Sequence, residues 1–410
     1  MRRRYLPLIA ATLLAACTAP MAFNSAPNNA PVMFQRNNAP TQQHQLVSIR
    51  YRNEAELFDL SASGLDVFGR NLETQEVEAR LSNEQIAMLQ QQGVQVAPQP
   101  FKAMAAQERA PLPSGYMTYQ QMLLRLQAMA QAYPQLVKLE DVGDTWEKQQ
   151  GKANHDIWMV HLSNHANSNR KPAYLMIGGI HARELAPVEI LVKLMDLLTT
   201  QYGKDPRITQ LLDTRDVIFL PMVNVDGRVE VERGSAWHRK NTHGTGVDLN
   251  RNYDNHWNYQ GLDVPDSWKR GLSDPNGQIY SGAGPASEPE TQTVQSIFHR
   301  FKPVLAVDMH AYGDMMLWPL GYSKADAPHA ATFKNLHART VKQLGFKGGT
   351  SAQILYPTTA TTRDYAYEKH GAISMTLEIG NDFRPSYSEV EQMWNRLQPH
   401  LLTFLETPGI

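Results

Sequence analysis

Four ionisable residues stand out by type and place. His181 and Glu184 lie three residues apart, directly after an apolar run at 173–180. His310 ends a second apolar run, 302–310, and Glu378 falls near the end of a third, 371–379. Side chains at i and i+3 of a single turn can point to the same side. A short-spaced His/Glu pair with a distant second histidine suits a catalytic zinc that keeps an open position for water, and a further carboxylate suits general acid–base work. The other twelve of the fourteen histidines have no such placement and read as ordinary polar residues.

The four groups can meet only if those runs are strands of one sheet. The run AYLMIGGI (173–180) is almost continuously apolar, as a strand buried on both faces is. HDIWMVHLS (155–163), DVIFLPMVN (216–224), KPVLAVDMH (302–310) and GAISMTLEI (371–379) read as further strands. Between them, Thr118-x-x-Gln121 caps a helix over 118–133, and 185–203 is an amphipathic helix with Pro187 near its first turn. Ser287-x-x-Glu290 caps a helix ending near Phe301, and Ser388-x-x-Glu391 opens a C-terminal one. This alternation predicts an α/β fold: a mixed, mainly parallel sheet with helices on both faces and ligands beyond the carboxyl ends of its strands.

The chain has 410 residues, with 39 Lys+Arg against 40 Asp+Glu. That balance excludes a generally basic nucleic-acid binder and a wholly disordered acidic chain. A single cysteine excludes an internal disulfide and any Cys-rich metal site. Residues 1–16 begin MRRR and continue as a twelve-residue apolar stretch, the pattern of a secretory signal and too short to span a bilayer. The junction LAAC at 14–17 resembles a bacterial lipoprotein signal. That resemblance implies lipidation of Cys17 and an exported chain, held to the envelope membrane by its lipid alone; Thr18, which is not Asp, implies the outer membrane. Residues 17–43 read as a flexible tether. Residues 44–100 form a small α/β module: a strand QLVSIRYR, a short helix EAELFDLSASG, one or two strands in LDVFGRNLETQEVEARL, a capping box Ser82-x-x-Gln85 and a last strand VQVAP. Residues 101–113 are a linker exposed to proteolysis, and 114–410 form the larger unit.

His181-Ala182-Arg183-Glu184 resembles the H-x-R-E metal motif of the carboxypeptidase A-type zinc metallocarboxypeptidases, and the likeness covers most of residues 114–405. Pro221-Met222-Val223-Asn224-Val225-Asp226-Gly227 resembles the family's N-P-D-G turn, with Val225 in place of proline. Trp237-His238-Arg239-Lys240-Asn241 resembles its W-R-K-N segment with one inserted residue. Gly246 to Asn252 reads GVDLNRN, close to V-D-x-N-R-N, and His310-Ala311-Tyr312 matches the third ligand and its neighbours. The resemblance implies one zinc ion on His181, Glu184 and His310, with Glu378 as general base. It implies Arg239 as oxyanion stabiliser and Asp248 as the carboxylate that orients His181. It also implies Arg251 and Asn250 as a clamp for a peptide's terminal carboxylate, closed by Tyr356, which lies 22 residues before Glu378. Arg183 contacts a residue upstream of the scissile bond, or else forms a structural ion pair.

In that family the residue seven after the mobile tyrosine sits at the base of the specificity pocket. Here it is Arg363, with Thr376 and Ser351 as polar walls, which points to C-terminal Glu or Asp. The competing reading pairs Arg363 with adjacent Asp364. The segment 255–283, with Trp257, Trp268 and Tyr280, is either a cleft-lining loop or a surface Ω-loop. Residues 44–100 resemble a cleft-covering propeptide, or are a permanent accessory domain. The expectation is a zinc metallocarboxypeptidase acting on peptides with a free C-terminal carboxylate. Its rivals are a cell-wall hydrolase cutting γ-glutamyl or D-residue bonds and a catalytically silent peptide-binding lipoprotein.

Overall fold

The computed structural model describes residues 44–99 and 109–408. Cys17, the signal segment, the tether and most of the linker lie outside the described residues.

The N-terminal module is a four-stranded antiparallel sheet of β1 (His44–Arg50), β2 (Asp66–Asn71), β3 (Glu76–Ser82) and β4 (Gln95–Pro98), in the order β2-β3-β1-β4. Alternate residues Val47 and Ile49 of β1 face inward with Val77, Ala79 and Leu81 of β3, against helix Glu54–Ser61 and Leu89 of helix Asn83–Gln91. Ser82 and Gln85 form the capping box reciprocally, at 3.2 and 2.8 Å.

The larger unit is built on eight strands: β5 (Val137–Asp144), β6 (Asp156–Leu162), β7 (Ala173–Ile177), β8 (Asp216–Leu220), β9 (Leu305–His310), β10 (Met315–Trp318), β11 (Lys347–Thr350) and β12 (Ile373–Glu378). Their order is β11-β10-β12-β9-β7-β8-β6-β5. The four central strands β12, β9, β7 and β8 are parallel, and every residue of β7 and β9 is buried. Helices Tyr119–Ala132, Ala186–Gln201 and Tyr387–Glu406 cover one face, while Pro289–Phe301 and Thr362–His370 cover the other. Burial on both faces is what made these strands continuously apolar, each buried Leu or Ile contributing roughly 1.5–3 kcal/mol.

Three details differ from the sequence expectation. β7 ends at Ile177 rather than residue 180, because Gly178 and Gly179 turn the chain out of the sheet. Gly179 has φ +63°, and a Cβ there would stand 3.0 Å from Met222 Cα, so only glycine makes this bend without strain. The helix expected from Ser287 begins at Pro289 with no side-chain cap, since proline already fixes the first turn; Glu290 is drawn inward instead. The C-terminal helix is capped by Ser386 with Glu389, two residues before the expected pair, which places Val390, Met393 and Leu397 on the core. Glu391 pairs with Lys193 at 2.6 Å.

Candidate active site

Cross-strand register brings the first two groups together. Glu378 on β12 is the direct neighbour of His310 on parallel β9. His181 and Glu184 reach the same point from the turn after β7. There His181 Nδ1 lies 2.8 Å from Glu184 Oε1, His310 Nδ1 2.9 Å from Glu184 Oε2, and the two Nδ1 atoms 3.0 Å apart. All three residues are buried. Two imidazole nitrogens aimed at each other across a carboxylate make a donor set suited to a divalent cation, and its N₂O composition suits zinc.

The surrounding groups divide by task. Asp248 Oδ1 lies 3.0 Å from His181 Nε2, behind the ring, and its Oδ2 accepts from Arg239 Nη2 at 2.9 Å. Burial opposes the Asp248 charge, yet Arg239 and then His181 hold its carboxyl well below the usual range. Arg239 Nη1 lies 3.6 Å from Glu184 Oε1, so its guanidinium borders the metal site. Glu378 opens into the same cavity, and among the described residues no group hydrogen-bonds its carboxylate. Burial pushes it up to about 7, against the pull of His310. A carboxyl raised toward neutrality by burial has the chemistry a general base needs.

Arg251 is a buried cation at the cavity wall. Among the described residues it donates only to the Asn250 carbonyl (2.7 Å), and no carboxylate stands within ion-pair distance. The charge of Arg251 is felt by Asp248, which lies beyond ion-pair distance, and a guanidinium can fork two hydrogen bonds onto a carboxylate. Asn250 also lines the cavity, but its amide is engaged: Oδ1 accepts from Thr362 N–H (2.9 Å) and Nδ2 faces His310 Nε2 (3.1 Å).

Arg363 lies at the cavity wall with Thr376, Thr358 and Ser351. It meets both expectations in part: Asp364 Oδ2 is 3.4 Å away, and the hydroxyls of Thr358 and Thr376 are at 3.2 and 3.3 Å. The Asp364 carboxylate has closer donors in Gly321 N–H (3.0 Å) and Thr361 Oγ1 (2.9 Å), so it holds Arg363 loosely. A Cβ on Gly321 would stand 2.2 Å from Arg363 Nη2, so glycine makes room for the guanidinium. Among the described residues the buried Ser351 Oγ has no hydrogen-bond partner.

The N-terminal module lies across this cleft. Arg183 donates two hydrogen bonds, 2.6 and 2.8 Å, to Asp66 of β2, and both side chains are buried. Phe68 packs among Trp237, Tyr312 and Phe383. Arg70 donates to the carbonyl of Leu355 (3.0 Å), next to Tyr356, whose hydroxyl reaches Val67 O at 3.5 Å. Tyr312 donates to Glu78. With Val67, Phe68 and Gly69 in its wall the cleft has about 60 Å³ of free space, less than the ~150 Å³ that takes up a benzene. The segment 255–283 does not line the cleft; it packs partly on itself, Trp257 Nε1 donating to the Ser281 carbonyl (2.8 Å) and Tyr259 standing against Trp268. It carries helix Asp266–Ser273, and Trp268 meets Phe58 of the module edge-on, ring centres 4.8 Å apart.

Residues 122–399 match the family described as zinc carboxypeptidase, M14 peptidases, over more than half of the chain. The chain belongs to the zinc carboxypeptidase family. Among curated relatives, carboxypeptidase A4 of Mus musculus is 26% identical over 271 residues, covering 62% of this chain and 60% of its own length. A zinc carboxypeptidase of Saccharothrix mutabilis subsp. capreolus is 28% identical over 279 residues, 65% and 62% respectively. The matched region thus spans about three fifths of these relatives. A crystal structure of carboxypeptidase A from Helicoverpa armigera superposes with a TM-score of 0.74 at 20% identity, over 89% of this chain and 97% of that one. That coverage exceeds what residues 114–410 supply alone, so the shared fold takes in the module.

Two features of this carboxypeptidase fold went unread in the sequence. Asp308, two residues before His310, stands 2.9 Å from its Nε2. Its signal was an acid interrupting the apolar strand LAVDMH, on the same face as the ligand. Behind the site, Asp226, Glu288 and Glu290 are buried close together. Among the described residues their ion-pair partners are histidines: His155 on Asp226 (2.8 Å) and His243 on Glu288 (3.0 Å). Asn241, two residues after Arg239, donates to both Glu288 (2.7 Å) and Glu290 (3.3 Å). Burial, with the Asp226 and Glu288 charges adding, pushes Glu290 from 4.5 up to about 7. The folded chain therefore keeps a proton that the unfolded chain releases near 4.5. This stabilisation is full below the unfolded value and is lost as pH rises through about 7, a swing of up to about 3 kcal/mol. Melting wild type and Glu290→Gln side by side at about pH 5 and about pH 8.5 should show the wild type losing ground at the higher pH. A difference in stability that does not change with pH would contradict this.

Proposed function

We propose that the protein is a zinc metallocarboxypeptidase that removes single C-terminal residues, acidic ones by preference, and that residues 44–99 hold it in a closed form. The observation that carries the reading is Arg251: a buried guanidinium with no carboxylate in ion-pair distance among the described residues, in the same cavity as the His181–Glu184–His310 site. A divalent metal on those three residues would supply a Lewis acid that polarises a peptide carbonyl and makes water a nucleophile near neutral pH. Glu378 takes a proton from the attacking water and returns it to the leaving amine. Arg239, tied to Asp248, faces the charge that develops on the carbonyl oxygen. Arg251 forks onto the terminal carboxylate and thereby selects the last peptide bond, while Tyr356 closes over that end. Thr376, Thr358 and the unpartnered Ser351 leave Arg363 the nearest full charge for a terminal Glu or Asp side chain. Export and lipid attachment at Cys17 on the envelope side of a bacterial membrane rest on residues 1–17. No helix among the described residues is long and apolar enough to cross a membrane.

The test is one peptide series differing only in its last residue (Glu, Asp, Lys, Phe, Leu), followed by mass spectrometry with and without a zinc chelator. Chelator-sensitive loss of Glu is expected. Arg363→Ile should then move the Glu-to-Leu ratio of kcat/KM toward Leu by about 10- to 100-fold, the worth of one hydrogen bond to a charged group. A ratio that stays put would take Arg363 out of the pocket's chemistry.

A further inference from the structure

His181 and His310 enter the metal site alike, each turning Nδ1 to the centre and Nε2 away. Behind His181 stands one acceptor, Asp248. Behind His310 stand two groups that ask for opposite tautomers: Asn250 Nδ2 at 3.1 Å and Asp308 Oδ2 at 2.9 Å. The orientation of Asn250 is fixed chemically. The Thr362 backbone N–H can only donate, and it donates to Asn250 Oδ1, so the group turned to His310 is the NH₂. An NH₂ donates to a bare Nε2, which leaves the ring proton on Nδ1, where it blocks a metal. A carboxylate accepts from Nε2–H and leaves the Nδ1 lone pair bare.

Asp308 is otherwise hard to account for. It is 2% exposed, inside a strand buried along its whole length. Neither of its oxygens accepts a hydrogen bond among the described residues, and His310 Nε2 lies within ion-pair reach but off the line of a ring N–H. A buried carboxylate left in that condition costs stability rather than adding it.

We propose that Asp308 is a positioning residue, whose charge, 2.9 Å from His310 Nε2, favours the proton on that nitrogen and so leaves Nδ1 to the metal, against the opposite pull of Asn250. The inference rests on the metal-site reading above. Zinc affinity, measured by competition with a chromogenic chelator, separates it from a structural role. Asp308→Asn keeps the volume and loses the charge; zinc should bind about 10- to 100-fold more weakly, and Asp308→Ala at least as weakly. The metal-free protein should melt no lower in Asp308→Asn than in wild type, because a buried charge has been removed. Unchanged zinc affinity in Asp308→Asn overturns the proposal, whatever Asp308→Ala does to folding. A metal-free Asp308→Asn that melts well below wild type, with zinc affinity kept, assigns Asp308 to the structure alone. Wild type that binds no zinc overturns this inference together with the reading beneath it, and that result is distinguishable because the wild-type measurement alone shows it.

Discussion

Glu378→Gln is expected to lower kcat by about 10³-fold while peptide binding stays near its wild-type strength. Gln keeps the shape of Glu378, but its amide cannot take a proton from water. The side chain is placed by β12 beside His310 of β9, and its carboxylate has no hydrogen-bond partner among the described residues to tie it down. In the proposed function the groups that would hold the peptide are elsewhere: Arg251 on the terminal carboxylate, Arg363 and its hydroxyl neighbours on the last side chain. Binding and turnover should therefore separate. Measuring KM, or the dissociation constant of an uncleaved analogue, beside kcat gives the check. Loss of binding equal to the loss of turnover would point to a damaged site rather than a missing base, and wild-type turnover would remove Glu378 from the chemistry.

A chain beginning at Arg109 should hydrolyse peptides about 100-fold faster than the chain that keeps the module, or more. The module occupies the approach to the cleft with its own groups: Asp66 on Arg183, Phe68 among three aromatic rings, Arg70 on the Leu355 carbonyl beside Tyr356. To admit a peptide it must give up at least the buried Arg183–Asp66 pair. Burial of Phe68 alone contributes about 1.5–3 kcal/mol, and about 3 kcal/mol corresponds to about 100-fold in the open population. Asp66→Ala in the longer chain should open it part of the way. Equal rates for the two chains would make residues 44–99 an accessory domain, with peptide entering by another side. Residues 109–111 are held to the larger unit by a bridge to Ser235 and by Arg384 on the Pro111 carbonyl (2.7 Å), so Arg109 is a sound place to start.

Much of this was legible in the residues. The central strands announced themselves because burial on both faces leaves no polar alternation in 173–177 or 305–310, and the ligands sat where those strands end. The edge of the sheet did not. β11 reads KGGT and β5 is half exposed, so neither has the apolar run that marks a buried strand, and both exist only through pairing with a neighbour. The C-terminal helix is capped by Ser386 rather than by Ser388, and its face is set by burial of Val390 and Met393, a tertiary matter. The Arg183–Asp66 pair joins residues 117 positions apart with no local signature at either end. Asp308 was written in the sequence, but its meaning depends on the ring it faces.

Two of the seven tryptophans stand where the module meets the larger unit. The guanidinium of Arg80 lies 4.9 Å from the Trp237 ring centre, and Phe58 turns its edge to Trp268. Were the module to leave, Trp237 would lose Arg80 and the Phe68 ring, and Trp268 the Phe58 ring. The colour and yield of the protein's own fluorescence thus carry a record of whether the cleft is covered, without any added dye.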